Sequence, residues 1–179
     1  IQHKTRYIPR SLRRGLPMTI AIGFRCKDGV LLCADTQMTV PATLKYLDNK
    51  IARIVGTPSL HFIAYSGRED FAKMCIQRLG KRIYDTEKAG KDLVQAVTIE
   101  CTAIHSEYYR AYDDLDNKLQ LTLLLATNIE GKMKLFGIRG PIVWPIRYFE
   151  CIGCGTYFAH AIASDLYRPE MTLLEARVM

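Results

Sequence analysis

A β-hairpin pattern close to the start of the chain constrains its fold more than any other feature. Thr19–Cys26 is rich in β-forming residues, Lys27–Gly29 forms a turn in which glycine accepts a positive φ at low cost, and Val30–Asp35 is a second apolar run. Because the end of one antiparallel strand lies beside the start of its neighbour, we expect Thr19 and Asp35 to be adjacent.

The threonine that opens this hairpin carries a possible chemistry of its own. Thr19 would become the start of the chain if Met18 and the residues before it were removed. A threonine at a chain start has a hydroxyl and a free amine on adjacent carbons, so the amine can serve as the base for its own nucleophile. One residue therefore offers both members of a catalytic pair.

The rest of the chain follows a coarse order of strands, helices, strands and helices. Lys50–Val55 and Leu60–Ser66 are predicted to form a second hairpin, which we expect to join the first in one four-stranded sheet. Helices over Glu69–Glu87 and Lys91–Asp113 should cover one side of that sheet. The later predicted elements are strands at Leu119–Thr127, Lys132–Ile138 and Tyr148–Ile152, a helix at Tyr157–Tyr167, and a last helix with Thr172 as N-cap and Glu175 three residues later.

Six short motifs follow one another in an order typical of one protein family. In chain order they are Thr19 before a strand, Lys27-Asp28-Gly29-Val30, Cys33-Ala34-Asp35, Asn49-Lys50-Ile51, Tyr65-Ser66-Gly67 and Ile152-Gly153-Cys154-Gly155. Together they resemble the proteasome-type β-subunits of the N-terminal-nucleophile hydrolases, including the bacterial two-ring relatives. The resemblance implies an α+β fold in which two antiparallel sheets lie between helix layers, a four-layer αββα sandwich known as the Ntn-hydrolase fold. It also implies one such domain over residues 19–179, which lacks the further strands that the family has after the last predicted helix.

The resemblance implies roles for five residues of a threonine peptidase. Thr19 would be the nucleophile, and Asp35 would orient Lys50, whose positive charge would lower the pKa of the Thr19 amine. Gly67 would donate its amide to the oxyanion of the tetrahedral intermediate. Cys154 stands where the family has a serine, so a weaker thiol contact to the amine would replace the usual hydroxyl contact.

The lysine assignment has a rival. The gap between Asp35 and Lys50 is one residue shorter than is usual in the family, which makes Lys45 a second candidate for the same role. Each residue also has a purely structural explanation, because strands often open with threonine, turns often contain aspartate, and lysines are usually solvated. Only their order in the family pattern favours the joint site.

The family alignment also implies a substrate pocket. Met38, Asp48 and Tyr65 would surround the side chain that precedes the cleaved bond, and Thr39 would bind the substrate backbone. Because Tyr65 is bulky and would shorten the pocket, we expect small or medium side chains there.

The implied function is that of an endopeptidase acting on unfolded proteins or peptides without a cofactor. By resemblance, the active form would be a cytoplasmic, ring-shaped homo-oligomer with its sites facing an inner chamber, fed by an ATP-driven unfoldase. The alternative is a noncatalytic shell or assembly subunit that never exposes Thr19. Sealed copies of that kind commonly lose the aspartate and the lysine, whereas Asp35 and Lys50 are both present here.

The segment before Thr19 differs in composition from the rest of the chain. Residues 1–18 hold five of the 25 Lys and Arg residues, no acid, and the turn-forming Pro9, Gly15 and Pro17, so we expect a leader, a propeptide or a translation overhang. Met18 could be the initiator, trimmed by methionine aminopeptidase because threonine is small; a presequence or a short basic arm is the other interpretation. Without this segment 20 basic residues face 18 acids, so a nucleic-acid-binding domain is not favoured.

Composition further narrows the class of protein to which the chain can belong. With 179 residues and 49% hydrophobic content the chain can build one globular core, and no apolar run approaches the ~20 residues of a membrane span. The six cysteines lie mostly in apolar runs and indicate reduced thiols. Cys151 and Cys154 form a lone C-x-x-C without a second pair or a nearby histidine, so we expect no metal site.

Overall fold

The structure is a computed structural model that describes residues 19–39, 45–108 and 121–179. The predicted leader at residues 1–18 lies outside this part of the chain. The described strands are β1 (Ala21–Cys26), β2 (Gly29–Ala34), β3 (Gln37–Thr39), β4 (Lys45–Leu47), β5 (Ile51–Ile54), β6 (His61–Gly67), β7 (Leu121–Ile129), β8 (Lys132–Arg139), β9 (Ile142–Pro145) and β10 (Phe149–Ile152). The described helices are α1 (Glu69–Lys88), α2 (Leu93–Tyr108), α3 (Thr156–Leu166) and α4 (Leu173–Arg177).

The two predicted hairpins form, but they belong to different sheets. β1 and β2 lie in a three-stranded sheet of order β10-β1-β2, and β5 and β6 lie in a five-stranded sheet of order β5-β6-β7-β8-β9. All pairings within these two sheets are antiparallel. The expectation of one four-stranded sheet was wrong: the second neighbour of β1 is β10, where Ala21 pairs with Ile152, and the second neighbour of β6 is β7.

The two sheets face each other, and helices cover their outer surfaces. Helices α1 and α2 pack on the five-stranded sheet through one apolar cluster, in which Leu79 and Val97 meet Ile63 and Leu125. A second cluster fills the space between the sheets with Ala21, Ala64, Leu124, Leu135 and Ile152 as members. A third lies beneath α3, where Ala159 and Ala163 meet Phe24 and Cys151. The order of layers is therefore helix, sheet, sheet, helix, which confirms the αββα sandwich.

Helix α1 shows why the sequence folds as predicted here. Cys75, Leu79 and Ile83 recur every four residues and are all buried, which gives the helix one apolar face toward the sheet. Acidic residues in its first turn and Lys88 in its last turn complement the helix dipole. Gly90, with φ of 62°, follows the helix end.

Two further expectations concern helices α4 and α2. Thr172 accepts a hydrogen bond from the Glu175 backbone, and the Glu175 side chain accepts one from the Thr172 backbone, so the predicted capping box is confirmed. Helix α2 runs to Tyr108, and the rest of its predicted span lies outside the described residues. The short strands β3, β4 and β9 were not predicted. None of the described helices has the length and apolar character needed to cross a membrane.

Candidate active site

The site begins where the opening hairpin brings its two ends together. Thr19 lies two residues before the start of β1, separated from it by Ile20, and Asp35 directly follows β2. The Asp35 backbone N–H donates to the Ile20 carbonyl at 3.0 Å, and the Ile20 N–H donates to Asp35 Oδ1 at 2.8 Å. Asp35 is thereby fixed next to Thr19, as the hairpin pattern predicts.

Lys50 reaches the same point from the second sheet. It directly precedes β5 and is 1% exposed. Its Nζ donates to Asp35 Oδ2 at 2.8 Å, to the Gln37 carbonyl at 2.6 Å and to Thr19 Oγ1 at 3.3 Å. An ammonium has three donors, and these contacts use all three, which is what burial of a charge requires.

The carboxylate of Asp35 holds this lysine in a fixed direction. Its Oδ2 accepts a second hydrogen bond from the Gln37 backbone N–H at 3.2 Å, in addition to the one from Lys50. Because both oxygens are engaged by donors from three different residues, the carboxylate has little freedom to rotate. The lysine charge therefore stays next to the Thr19 hydroxyl.

The backbone nitrogen of Thr19 meets a thiol on the other side. Thr19 N–H donates to Cys154 Sγ at 3.1 Å, and the thiol lies 3.8 Å from the Thr19 carbonyl oxygen. Cys154 lies in the turn between β10 and α3 and is exposed. The nitrogen and the hydroxyl of Thr19 thus have different partners.

The other described thiols have different surroundings. Burial raises the pKa of Cys75 and of Cys101 to about 12, and that of Cys151 to about 11. Partial burial also raises the pKa of the Cys33 thiol on β2. Among the residues that the structure describes, no group of three or more His, Cys, Asp and Glu side chains could hold a metal ion.

Gly67 ends strand β6 with φ of 135°, a conformation that few residues other than glycine adopt. It pairs with Leu121 at the end of the five-stranded sheet and is exposed. Its neighbour Ser66 points toward the Gly153 turn, since Ser66 Oγ lies 3.0 Å from the position that a Cβ on Gly153 would take. Strand β6 therefore ends close to Thr19.

Two of the residues expected to form the substrate pocket, Asp48 and Tyr65, contact side chains outside the Thr19 site. Asp48 Oδ2 accepts from Lys73 Nζ at 3.0 Å, and the hydrogen bond from Lys73 lowers the pKa of the Asp48 carboxyl. Tyr65 is 2% exposed and packs in the cluster beneath α1 and α2. Met38 and Thr39 lie on β3, and their side chains are outside the described part of the chain.

The structure therefore joins Thr19, Asp35, Lys50 and Cys154 by direct contacts. Tyr65 meets Lys50 through the backbone, because its N–H donates to the Lys50 carbonyl at 3.1 Å, and the Asp48 carboxylate bonds to Lys73. Lys45, the rival lysine, lies on β4, and its side chain is outside the described residues. Sequence reasoning missed the backbone groups of the network, among them the Gln37 carbonyl. Backbone donors and acceptors occur at every position, so no residue type marks them.

Comparisons with known proteins agree with this architecture. A family model described as Proteasome subunit matches residues 18–179. Among solved structures, Anbu (ancestral beta-subunit) from Yersinia bercovieri superimposes with a TM-score of 0.73 at 15% sequence identity, over 88% of this chain and 70% of that one. Anbu from Hyphomicrobium sp. strain MC1 superimposes with a TM-score of 0.71 at 15% identity, over 88% of this chain and 70% of that one. No curated protein sequence matches the chain.

Proposed function

The chain belongs to the proteasome subunit family, and from that premise we propose that it is a threonine-type endopeptidase whose nucleophile is Thr19. The proposal requires that the residues before Thr19 be removed, so that its backbone nitrogen becomes a free amine. A peptide bond of an unfolded polypeptide would then be the substrate.

One observation supports this proposal above all others. The Thr19 hydroxyl accepts a hydrogen bond from Lys50 Nζ, while the Thr19 nitrogen contacts Cys154 Sγ. The residue is therefore held at both of the atoms that an N-terminal nucleophile uses, the hydroxyl and the amine. Lys50 is in turn held by Asp35.

The proposed reaction uses the Thr19 amine as its general base. The neutral amine takes the hydroxyl proton as Oγ1 attacks the peptide carbonyl carbon, and the nearby Lys50 charge favours the neutral form of the amine. The oxyanion that forms would accept a hydrogen bond from the Gly67 amide. The amine then gives its proton to the leaving nitrogen, the peptide C–N bond breaks, and an ester remains on Oγ1.

The second half of the reaction releases this ester. The Thr19 amine takes a proton from water as the water oxygen attacks the ester carbonyl, and the C–O bond to Oγ1 breaks. The proton returns to Oγ1, and the acid product leaves. No cofactor takes part in either half.

The proposal also includes an assembly. Family membership suggests a ring-like oligomer of several copies, in which the sites would face a shared chamber. An ATP-dependent unfoldase would feed such a chamber with unfolded chains. The substrate pocket would include Met38, Thr39 and Asp48, with Tyr65 beneath it, and would accept small or medium side chains.

Hydrolysis of fluorogenic peptides by a chain that begins at Thr19 tests the proposal. The chain can be released from an N-terminal fusion by a protease that leaves threonine first, and intact mass verifies the start. We expect Thr19→Ser to retain measurable turnover and Thr19→Ala to lose at least about 1,000-fold. Thr102→Ala, which removes a hydroxyl bonded to the Thr98 carbonyl on the exposed part of α2, is the matched control.

The same experiment separates the peptidase from a noncatalytic shell subunit. A shell subunit would hydrolyse none of the peptides, whether the chain carries the wild-type residue or the Thr19→Ala substitution. Equal turnover by the wild type and the Thr19→Ala variant would instead place the chemistry at another residue. Either result would overturn the proposal.

A further inference from the structure

We propose that Gly153 is a positioning residue for Thr19, a role that rests on the function proposed above. Gly153 follows β10 and adopts φ of 104°. A Cβ at this residue would lie 2.0 Å from the Thr19 carbonyl oxygen and 2.8 Å from the Thr19 carbonyl carbon. The Thr19 carbonyl group therefore occupies the space that a side chain at residue 153 would need.

The contact cannot be relieved by a small side-chain adjustment. Heavy atoms from other parts of the chain essentially never lie within 3.0 Å of a Cβ, and the two Thr19 atoms met here belong to the backbone. Either Thr19 or the turn after β10 would have to move by about an ångström to admit a methyl group. Ser66 Oγ, at 3.0 Å from the same Cβ position, leaves little space on another side.

Movement of Thr19 would separate its reactive atoms from their partners. Its hydroxyl lies 3.3 Å from Lys50 Nζ, and its nitrogen lies 3.1 Å from Cys154 Sγ. The next residue, Ile20, is tied to Asp35 by two hydrogen bonds, so it resists following the displaced threonine. A displacement of about 1 Å at a reacting group can cost about 100-fold in rate.

The second glycine of the turn differs in what it meets. A Cβ on Gly155 would contact the Ile20 side chain, at 2.3 Å from Cγ1 and 2.4 Å from Cδ1. A side chain can rotate away where a carbonyl cannot, although Ile20 is stiff at its branched carbon. Gly155 also donates its N–H to the Thr19 carbonyl at 3.4 Å. Gly153 is therefore the glycine whose replacement would act on the Thr19 backbone directly.

The test compares Gly153→Ala with Gly131→Ala and Gly90→Ala in chains that begin at Thr19. Gly131, with φ of 77°, and Gly90, with φ of 62°, have nothing within 4 Å of an added Cβ, so these two variants place alanine at a positive φ without a steric contact. Circular dichroism and thermal unfolding establish whether each variant folds. Turnover and KM are then measured with the same peptide.

For a folded Gly153→Ala we expect a kcat about 100-fold below that of Gly131→Ala, with KM changed less than about threefold, because only the reacting atoms are displaced. A folded Gly153→Ala whose kcat lies within about threefold of Gly131→Ala would overturn the inference. The proposed function survives that outcome if Thr19→Ala is still inactive. A wild-type chain no more active than Thr19→Ala would overturn both.

A shortened chain that begins at Ile20 tests the inference if Gly153→Ala fails to fold in the chain that begins at Thr19. In a chain that begins at Ile20 the Thr19 carbonyl is gone, so we expect Gly153→Ala to fold there as well as Gly131→Ala does. Recovery of folding would support the contact between residues 153 and 19. Failure to fold in this background too would show that the glycine serves the turn alone, and the inference would be overturned.

Discussion

Lys50 Nζ lies 2.8 Å from Asp35 Oδ2 while the lysine is 1% exposed, so a buried ammonium ion is paired with a carboxylate at the junction of the two sheets. The lysine comes from the five-stranded side, and the aspartate follows the three-stranded side. This ion pair therefore connects the two halves of the sandwich at the residue proposed as the nucleophile.

Replacement of this lysine should affect both stability and turnover. Lys50→Met leaves the Asp35 carboxylate without its cation, and because that side chain is 32% exposed we expect a loss of about 2 kcal/mol, below the cost of a fully buried orphan charge. In a chain that begins at Thr19, turnover should fall by about 100-fold or more, since the proposed general base, the Thr19 amine, would lose the nearby charge. Urea unfolding and peptide hydrolysis measure the two effects.

Lys45→Met is the control for this experiment, since Lys45 competes with Lys50 in the sequence pattern. We expect it to retain turnover within about twofold of the wild type. Should Lys45→Met abolish hydrolysis while Lys50→Met does not, the assignment of the lysine would have to be reversed.

The thiol beside Thr19 should make the proposed peptidase activity sensitive to alkylation. Iodoacetamide transfers a carboxamidomethyl group to exposed thiols with loss of iodide, and at Cys154 that group would occupy the space next to the Thr19 nitrogen. We expect alkylation to inactivate the wild type, while the buried thiols of Cys75 and Cys101, whose pKa burial raises to about 12, react slowly. Residual peptide hydrolysis after treatment is the measurement.

Two serine variants locate the reactive thiol. Cys154→Ser should resist iodoacetamide and raise turnover by about fivefold, because a hydroxyl accepts a better hydrogen bond from the amine. Cys33→Ser, which removes another exposed thiol, should leave the sensitivity intact. Equal inactivation of Cys154→Ser and the wild type would contradict the proposed contact.

Stability at acid pH should depend on Glu100. Burial opposes its ionisation, but hydrogen bonds from Arg78 and Arg82 outweigh burial and hold the pKa of Glu100 below its usual value. A carboxyl with a lowered folded-state pKa contributes stability above the unfolded pKa of about 4.3, and this contribution is lost as pH falls through the folded value. The ion pairs join α1 to α2.

We therefore expect Glu100→Gln to lower the free energy of unfolding by about 2 kcal/mol at pH 7, and the difference from wild type to shrink below about pH 4. Glu107→Gln is the control, because Glu107 is 55% exposed and bonds only to Arg78 among the described ion pairs, so its loss should cost about 0.5 kcal/mol. Urea titrations at several pH values measure both. A difference that persists unchanged at about pH 3 would contradict the role of the Glu100 charge.

Local pattern was enough to predict most elements and the proximity of two residues of the candidate site. The hairpin that ends at Asp35 and the helix that buries Leu79 each depend on residues a few positions apart, so periodicity and turn chemistry identify them. The proximity of Thr19 and Asp35 follows from the same hairpin. The order of motifs favoured Lys50 but left Lys45 as a rival, and only the three-dimensional contacts of Lys50 with Asp35 and Thr19 add support for that choice.

What sequence reasoning missed depends on contacts between distant parts of the chain. The partner of β1 on its second edge is β10, and nothing in the β1 sequence specifies it, which is why the sheet assignment was wrong. The same pairing brings Gly153 to the Thr19 carbonyl. A glycine after a strand usually indicates a turn, so its steric relation to Thr19 was not visible in the sequence.

Covalent labelling with a peptide epoxyketone tests the central claim most directly. Such a reagent presents a ketone and an adjacent epoxide, and only a residue with a nucleophilic oxygen and a free amine on neighbouring carbons can close a ring on both. For a chain beginning at Thr19 we expect one adduct, located at Thr19 by peptide mass spectrometry and absent from Thr19→Ala. An adduct at another residue, or no adduct on a folded chain that hydrolyses peptides, would contradict the assignment of Thr19 as the nucleophile.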